Sequence, residues 1–195
     1  MMWNLLRRLK RRLFPAPAAK FWRNRELIVR PGGWRKLFLP LYVHANQKIL
    51  DRYNACIPCL EEISPFATPH GMAGIFISYG ASMGPDCTVF QQVTIGSNNL
   101  ADSRGRGAPV IGKNVYIGAG AKIIGGVTVG DNVRIGANCA VTFDVPDNAT
   151  VVLSAPRVIL HEEPRDNAFV TWEDRQREEP RQSYIKEGER PYART

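Results

Sequence analysis

The stretch Ile111–Val145, IGKNVYIGAGAKIIGGVTVGDNVRIGANCAVTFDV, repeats a simple pattern every six residues. An aliphatic residue returns at every sixth position, as Ile111, Ile117, Ile123, Val129, Ile135 and Val141. A small or β-branched residue follows four positions later, as Val115, Ala121, Val127, Val133, Cys139 and Val145. Glycine directly follows the aliphatic residue at positions 112, 118, 130 and 136. This period fits neither an α-helix nor the two-residue alternation of a half-buried strand.

A period of six predicts a β-solenoid in which each coil has three short, flat faces. The aliphatic residue fills the interior of a face, and the small residue lets the interior close. Glycine takes the corner, where a positive φ or a close approach is needed. Because each coil covers the next, the core is a column. The alternative is a sandwich of unrelated Gly-Val-Ile strands, which so many aliphatic residues in one register disfavour.

The same frame continues upstream, and two segments interrupt it. It holds at Ile77, Met83, Val89 and Ile95, with a fainter start at Ile57 and Ile63. The segment Pro69-His70-Gly71-Met72-Ala73-Gly74 shifts the frame before Ile77, and residues 97–110 (SNNLADSRGRGAPV) separate Ile95 from Ile111. We expect the second interruption to protrude from a corner as a loop, a common place for binding residues.

The chain is predicted to have three parts. Residues 1–53 contain a basic amphipathic helix over 3–14 and a second helix or pair over 34–53, with Leu37, Leu41 and Leu50 among its apolar positions. Residues 54–160 form the solenoid, and residues 161–195 form a charged, extended tail. The formal net charge is +8, with eleven Lys or Arg and one acid in residues 1–36.

The charge pattern and the hydropathy bound the location and the partners. No run reaches the roughly 18 apolar residues of a membrane span, and the basic start does not resemble a secretory signal, so a cytoplasmic location is expected. The arm over residues 1–20 could contact an anionic membrane, or it could pack on the protein. Nucleic-acid binding is not expected, because the body has no basic stripe with interleaved aromatic residues.

The cysteines and histidines give little support for a metal site. Cys56 and Cys59 form one C-x-x-C pair without a second pair, which is a weak zinc signal. We expect all four cysteines to be reduced thiols with a packing role. Of the three histidines, His44 and His161 are expected to be structural or exposed.

These features together resemble the hexapeptide-repeat acyltransferases. The segments PHGMAGIFIS, VFQQVTIGSN and APVIGKNVYIGAGAKIIGG are similar to the serine O-acetyltransferase-like branch, which includes polysaccharide and sugar O-acetyltransferases. The resemblance implies a left-handed parallel β-helix that assembles as a homotrimer, with active sites between adjacent subunits. It also implies acetyl-CoA as the acyl donor and no metal.

The resemblance identifies His70 as the catalytic histidine. An alcohol needs a base to take its proton as it attacks a thioester, and imidazole titrates close to neutral pH. Family members orient this histidine with an upstream acidic residue, and the matching position falls near Asn54. Asp51, Glu61 and Glu62 are possible substitutes, as is a neighbouring subunit.

The resemblance also implies positions for acetyl-CoA and the acceptor. Small residues would flank the pantetheine arm, namely Ser97, Gly118, Ala119, Gly136 and Ala137. Basic residues would pair with the anionic nucleotide end, with Arg104, Arg106, Lys113, Lys122 and Arg157 as the candidates. Gln92 is a candidate for contact with the acceptor.

The acceptor is predicted to be a hydroxyl of a sugar or a polysaccharide precursor. Serine acetyltransferases carry a second histidine just before the proline that re-enters the repeat, and here that residue is Ala108. About 50 residues also stand where those enzymes have a large helical domain. Serine or amino-sugar acetylation is the alternative, and a trimeric scaffold or membrane-docking protein is the non-enzymatic one. A metal hydratase and a nucleotidyltransferase are disfavoured.

Overall fold

The computed structural model describes residues 17–154, 158, 160, 161, 163 and 164. The predicted helix over residues 3–14, the candidate Arg157 and most of the predicted tail over 161–195 lie outside these residues. Within them, no helix is both long enough and apolar enough to cross a membrane.

Within the described residues, three helical segments precede the solenoid. They are α1 (Pro17–Val29), a 3-10 helix (Gly33–Phe38) and α2 (Leu39–Arg52). The last two confirm the prediction of a helix pair over residues 34–53. Helix α1 was not predicted, because Pro15 and Pro17 suggested the end of a helix; proline is instead well suited to the first helical position, where its missing N–H is not needed.

Helix α1 is fixed to the first coil by aromatic packing and by a buried arginine. The Trp22 ring lies 4.8 Å from the Phe66 ring, centroid to centroid. Arg25 is 5% exposed, and its guanidinium donates to the carbonyls of Leu60 and Ile63, the latter at 2.8 Å. These bonds satisfy a charge that would otherwise be costly to bury. The helices therefore form one cluster with the solenoid core.

Over residues 54–154, the solenoid contains eleven short parallel strands. In chain order they are β1 (Phe76–Ile77), β2 (Ser82–Met83), β3 (Thr88–Val89), β4 (Thr94–Gly96), β5 (Val110–Ile111), β6 (Tyr116–Ile117), β7 (Lys122–Ile124), β8 (Thr128–Val129), β9 (Arg134–Ile135), β10 (Ala140–Val141) and β11 (Thr150–Val151). They form three sheets, β1-β4-β7-β10, β2-β5-β8 and β3-β6-β9-β11. From β1 to β10, consecutive strands lie in successive sheets, and β11 belongs to the third sheet. This three-sided winding is that of the predicted left-handed parallel β-helix.

The core confirms the six-residue pattern. Every aliphatic position from Ile77 to Val141 is at most 3% exposed, and so are Ile57 and Ile63 at the start. The register aligns these residues directly, as in Ile95 on Ile123 and Ile117 on Ile135. The residues in the second series are also buried, as Ala81, Cys87, Val93, Val115, Ala121, Val127, Val133, Cys139 and Val145.

The sequence pattern assigned both close approach and positive φ to the glycine at the corner, but in the structure different residues have these two properties. A Cβ on Gly118 would lie 2.6 Å from the Ala137 amide nitrogen, so glycine is needed there for close approach. Positive φ occurs instead three positions after the aliphatic residue, at Asp86, Gln92, Asn114, Gly120, Asn132 and Asn138. It occurs also at Asn148, three positions after Val145, which pairs with Val129. Asparagine and glycine tolerate this conformation best, which explains why they recur there.

Candidate active site

His70 lies in a tight turn whose neighbours are buried. Gly71 N–H donates to the Thr68 carbonyl at 3.0 Å, and Pro69 occupies the second turn position, where its fixed φ is favourable. Met72 and Ile75 are fully buried in the column, whereas His70 is exposed. The turn is therefore anchored from inside, and it presents the imidazole at the surface.

The His70 ring is held by the next coil. Its Nδ1 lies 3.0 Å from Gln91 Oε1, and its ring packs edge-on against Phe90 with centroids 5.1 Å apart. Phe90 in turn packs against Tyr116, at 5.0 Å. Because an amide oxygen only accepts hydrogen bonds, this contact favours the tautomer with the proton on Nδ1. In this tautomer the lone pair is on Nε2, the ring nitrogen that does not contact Gln91.

The edge of the prism that follows the third sheet is here called the His70 corner; it comprises residues 68–75, 90–93, 118–121 and 136–139. Backbone bonds connect its levels, since Gln92 N–H donates to the Ala73 carbonyl and Gly120 N–H to the Gln91 carbonyl. Asn138 N–H then donates to the Ala119 carbonyl at 2.8 Å. The structure thus brings His70, Gln92, Gly118, Ala119, Gly136 and Ala137 together along one edge.

Lys122 begins β7 directly after the His70 corner. Its Nζ donates to the Gln92 carbonyl at 2.7 Å, so the ammonium lies beside the corner at the level of Gln91. The Lys122 side chain is exposed, which leaves its other donors available to an anion. Among the predicted basic residues, it is the one that the structure places at this edge within the described part of the chain.

The second edge, here called the loop corner, comprises residues 78–81, 97–109 and 125–127. The loop folds as a hairpin in which Asn98 and Gly107 exchange both backbone bonds, at 2.8 and 2.9 Å. Gly126 N–H donates to the Gly105 carbonyl at 3.0 Å. A Cβ on Gly125 would lie 2.5 Å from that oxygen. The absence of side chains at Gly125 and Gly126 therefore allows the end of the loop to pack closely against this coil.

Three predicted residues lie at the loop corner and not at the His70 corner. Arg104 and Arg106 are exposed on the hairpin, and the Ser97 hydroxyl bonds to Ser78 at its base. Ala108 lies in the same place, since a Cβ on Gly80 would contact its side chain at 3.0 Å. One copy of the chain therefore does not bring these residues to the same edge as His70.

The third edge, here called the asparagine corner, comprises residues 84–87, 112–115, 130–133 and 146–149. Asn114 Nδ2 donates to Asn132 Oδ1 at 2.9 Å, and Asn132 Nδ2 donates to Asn148 Oδ1 at 3.1 Å. Lys113 lies here, with its ammonium 3.2 Å from Asp131. The bond from the Lys113 backbone N–H is the main cause that lowers the pKa of the Asp131 carboxyl, and the side chain of Lys113 adds to it.

Gln91 is a candidate site residue that the sequence reasoning missed. It occupies the same repeat position as Ala119 and Ala137, two places after the aliphatic residue, so the period itself could have identified it. Asn54 lies in the turn that ends α2, and none of the His70 contacts found among the described residues runs to it. Its role as orienting group stays a prediction.

The cysteines pack and do not pair. All four are free thiols, and burial raises the pKa of both Cys59 and Cys87. Among the described residues, no group of three His, Cys, Asp or Glu side chains is arranged to hold a metal ion.

Residues 108–142 match the sequence family described as bacterial transferase hexapeptide (six repeats). The chain is 36% identical over 120 residues to a serine acetyltransferase of Bacillus pumilus, which covers 58% of this chain and 54% of that protein. A serine acetyltransferase of Staphylococcus xylosus is 37% identical over 126 residues, covering 65% and 56% respectively.

Solved structures show the same relationship. Serine acetyltransferase isoform 3 of Entamoeba histolytica, in complex with cysteine, superposes with a TM-score of 0.53 at 33% identity, covering 64% of this chain and 44% of that one. Soybean serine acetyltransferase complexed with serine gives 0.54 at 26%, covering 73% and 56%. The chain spans about half the length of the curated relatives it matches. These matches support placing the solenoid in the hexapeptide-repeat acyltransferase superfamily.

Proposed function

We propose that the chain is an acetyl-CoA-dependent O-acetyltransferase in which His70 is the general base. The observation that carries the proposal is the bond from His70 Nδ1 to Gln91 Oε1. It leaves the Nε2 lone pair on an exposed ring at the edge of a rigid column. The curated relatives of this solenoid are acetyltransferases by name.

The chemistry follows from that geometry. An acceptor hydroxyl donates to His70 Nε2, and the imidazole takes its proton as the oxygen attacks the thioester carbonyl. The C–S bond then breaks, and the imidazolium returns the proton to the departing CoA thiolate. Gln91 fixes the ring and its tautomer, but it adds no charge, so imidazolium formation is supported by the dipole of a neutral amide.

The His70 corner is suited to the pantetheine arm of acetyl-CoA. Gly118, Ala119 and Ala137 keep the edge free of large side chains, so the amides of pantetheine can approach the backbone. Lys122 offers a positive charge at the same edge. The donor would therefore extend from the thioester beside His70 along the lower coils.

The predicted anion-binding arginines require a second copy of the chain. Ser97, Arg104 and Arg106 lie at the loop corner, on a different edge of the same prism. In a homotrimer, the loop corner of one subunit would face the His70 corner of its neighbour. We therefore propose that acetyl-CoA binds between two subunits and uses residues from both. Lys113, paired with Asp131 at the asparagine corner, is the weakest of these candidates.

Serine is the better-supported acceptor. The curated relatives are named serine acetyltransferases, and one of the similar solved structures holds serine. This favours the alternative over the sugar acceptor that the sequence predicted. Sugar hydroxyls remain the second candidate, because Ala108 stands at the loop corner where the resemblance implies a histidine, and a methyl group provides no hydrogen bond to a serine carboxylate or amine.

An acceptor panel tests the proposal. The purified chain is incubated with acetyl-CoA and with L-serine, glucosamine, a neutral hexose or no acceptor, and thiol release and acetylated product are measured. We expect CoA release that depends on the acceptor, is highest with serine and is lost in His70→Ala. Equal release by wild type and His70→Ala with every acceptor would overturn the catalytic proposal. Release with sugars but not with serine would establish the second candidate.

A further inference from the structure

The 3-10 helix and the start of α2 display large apolar side chains to solvent. Trp34 is 70% exposed, Leu37 81%, Phe38 44% and Leu41 60%. These four residues are here called the Trp34 patch. Residues three or four apart share one face of a helix, and the Trp34 and Phe38 rings are in contact with centroids 5.7 Å apart. The patch is therefore continuous, and the packing of the solenoid does not use it.

The charged residues within the segment that carries the patch are all basic. Arg35 and Lys36 are exposed between its members, and no Asp or Glu occurs between Glu26 and Asp51. Arg30, the next basic residue, is paired with Glu61. An apolar, tryptophan-containing face with exposed basic residues on its rim is complementary to a surface that is apolar inside and anionic outside.

The size of the patch favours a lipid surface over a protein partner. Its exposed fractions correspond to roughly 500 Å² in total, if a large side chain presents about 150–250 Å². A stable protein interface buries about 800 Å² on each partner, so the patch alone is too small. A second copy of this chain would also bring Arg35 and Lys36 against like charges. Residues 1–16 carry five basic residues and no acid, so they are equally poor occupants.

We propose that the Trp34 patch docks the protein on an anionic membrane surface. The side chains of Trp34, Leu37 and Leu41 enter the headgroup boundary, where the amphipathic indole is particularly favourable. Arg35 and Lys36 contact the anionic headgroups. The proposal does not depend on the transferase activity, because none of these residues lies at the His70 corner.

Vesicle flotation of the full-length chain tests the proposal. Vesicles of phosphatidylcholine alone are compared with vesicles that also contain phosphatidylserine, and the bound fraction is measured at low and high salt. We expect binding only to the anionic vesicles, and we expect it to weaken as salt screens the charges. A wild type that floats with neither vesicle would overturn the proposal.

Two variants and a matched control locate the contact. Trp34→Ser, Leu37→Ser and Leu41→Ser together should lower the apparent partition coefficient at least tenfold. Arg35→Glu with Lys36→Glu should lower it by roughly fivefold per charge removed. The control is Tyr79→Ser with Phe143→Ser, which removes side chains that are 73% and 55% exposed on the solenoid; it should bind like the wild type.

The remaining outcomes contradict the proposal. If the triple-serine variant floats like the wild type, another segment provides the contact. If the control loses as much binding as the triple variant, the effect is not specific to the patch. If light scattering shows that the triple variant forms a smaller assembly than the wild type, a second copy covers the patch. Thiol release should be unchanged in the triple variant, which separates this result from any failure of the proposed activity.

Discussion

The His70 corner and the asparagine corner are built from the same six-residue repeat, but they use their side chains in opposite ways. At the asparagine corner, Asn114, Asn132 and Asn148 donate and accept among themselves along the column. At the His70 corner, the same repeat position holds Gln92, Gly120 and Asn138. The position before it holds Gln91, Ala119 and Ala137, and His70 extends from the level above. One corner carries a continuous ladder of asparagine side chains, whereas at the other Gly120 interrupts the ladder beside Ala119 and Ala137.

The difference shows where a solenoid can acquire a function without losing its core. Both corners bury the same kind of aliphatic residue and pair the same backbone groups, so the interior does not distinguish them. What differs is the exterior, where Gly120, the alanines beside it and one anchored histidine interrupt the amide ladder. The predictions below test this division.

The largest effect is expected from His70, the proposed general base. His70→Asn should lower kcat by on the order of 10²–10⁴, and thermal unfolding should hardly change because the side chain is exposed. His44→Asn is the matched control, since His44 is an exposed histidine on α2. A His70→Asn enzyme with wild-type kcat would remove the catalytic difference between the two corners.

Adding a methyl group should lower the unfolding free energy similarly at both corners, but it should weaken acetyl-CoA binding only at the His70 corner. A Cβ would lie 2.6 Å from the Ala137 nitrogen in Gly118→Ala and 2.6 Å from the Asp147 nitrogen in Gly130→Ala. Each variant should lose about 1–3 kcal/mol of unfolding free energy through overpacking. Only Gly118→Ala should raise the KM for acetyl-CoA. If Gly130→Ala raises it equally, the donor does not lie along the His70 corner.

The amide ladder should contribute to stability and not to turnover. Asn132→Ala loses two side-chain hydrogen bonds and places alanine at a φ of 58°, so it should destabilise the fold by about 2 kcal/mol. Asn132→Gly loses the same hydrogen bonds, but glycine adopts a positive φ without strain. Its loss of unfolding free energy should therefore be smaller than that of Asn132→Ala. Chemical unfolding measures both, and a fall in kcat for either variant would contradict a purely structural role.

Gln91 should act through His70. We expect Gln91→Ala to lower kcat about tenfold, since the imidazole loses the partner that fixes its tautomer, with little change in the KM for acetyl-CoA. Gln91→Glu should shift the pH profile of kcat/KM to higher pH, because a carboxylate favours the protonated ring. Gln47→Ala, at an exposed glutamine on α2, is the control. An unaltered profile in Gln91→Glu would show that Gln91 does not orient the base.

The smallest effect is expected from Asp131. Hydrogen bonds from Lys113 lower the pKa of this carboxyl in the folded state. Its contribution to stability is therefore present above the pKa of the unfolded chain and is lost as the pH falls through the lowered folded value. The difference in unfolding free energy between wild type and Asp131→Asn should shrink from neutral pH to about pH 3. If the difference in unfolding free energy grows as the pH falls, it contradicts a lowered pKa for Asp131 in the folded state.

The fold was predictable from the sequence, because the repeated aliphatic positions are the residues that form the buried core. Ile111 to Val141 recur at a spacing that a three-sided coil explains, and each lies buried as expected. The sequence did not predict helix α1, because a proline such as Pro17 is equally compatible with the end of one helix and the beginning of another. Leu37 and Leu41 were grouped with Leu50 as apolar positions, but only Leu50 is buried; a local pattern does not reveal which face finds a partner.

The candidate site was harder to predict, because its geometry joins different coils. His70 was identified by the shift in register and by the resemblance, whereas Gln91 comes within 3.0 Å of it across 21 positions in sequence. The basic candidates could not be assigned to one edge, because a period of six does not by itself indicate which of the three corners each residue occupies. The alternation of sheets resolves this, and it separates Arg104 and Lys113 from Lys122.

Hydrogen–deuterium exchange with and without CoA tests the division between the corners most directly. We predict that CoA slows exchange of the backbone amides over residues 90–93, 118–121 and 136–139. Exchange over residues 112–115, 130–133 and 146–149 should be unchanged. Protection of the asparagine corner with none at the His70 corner would contradict the account.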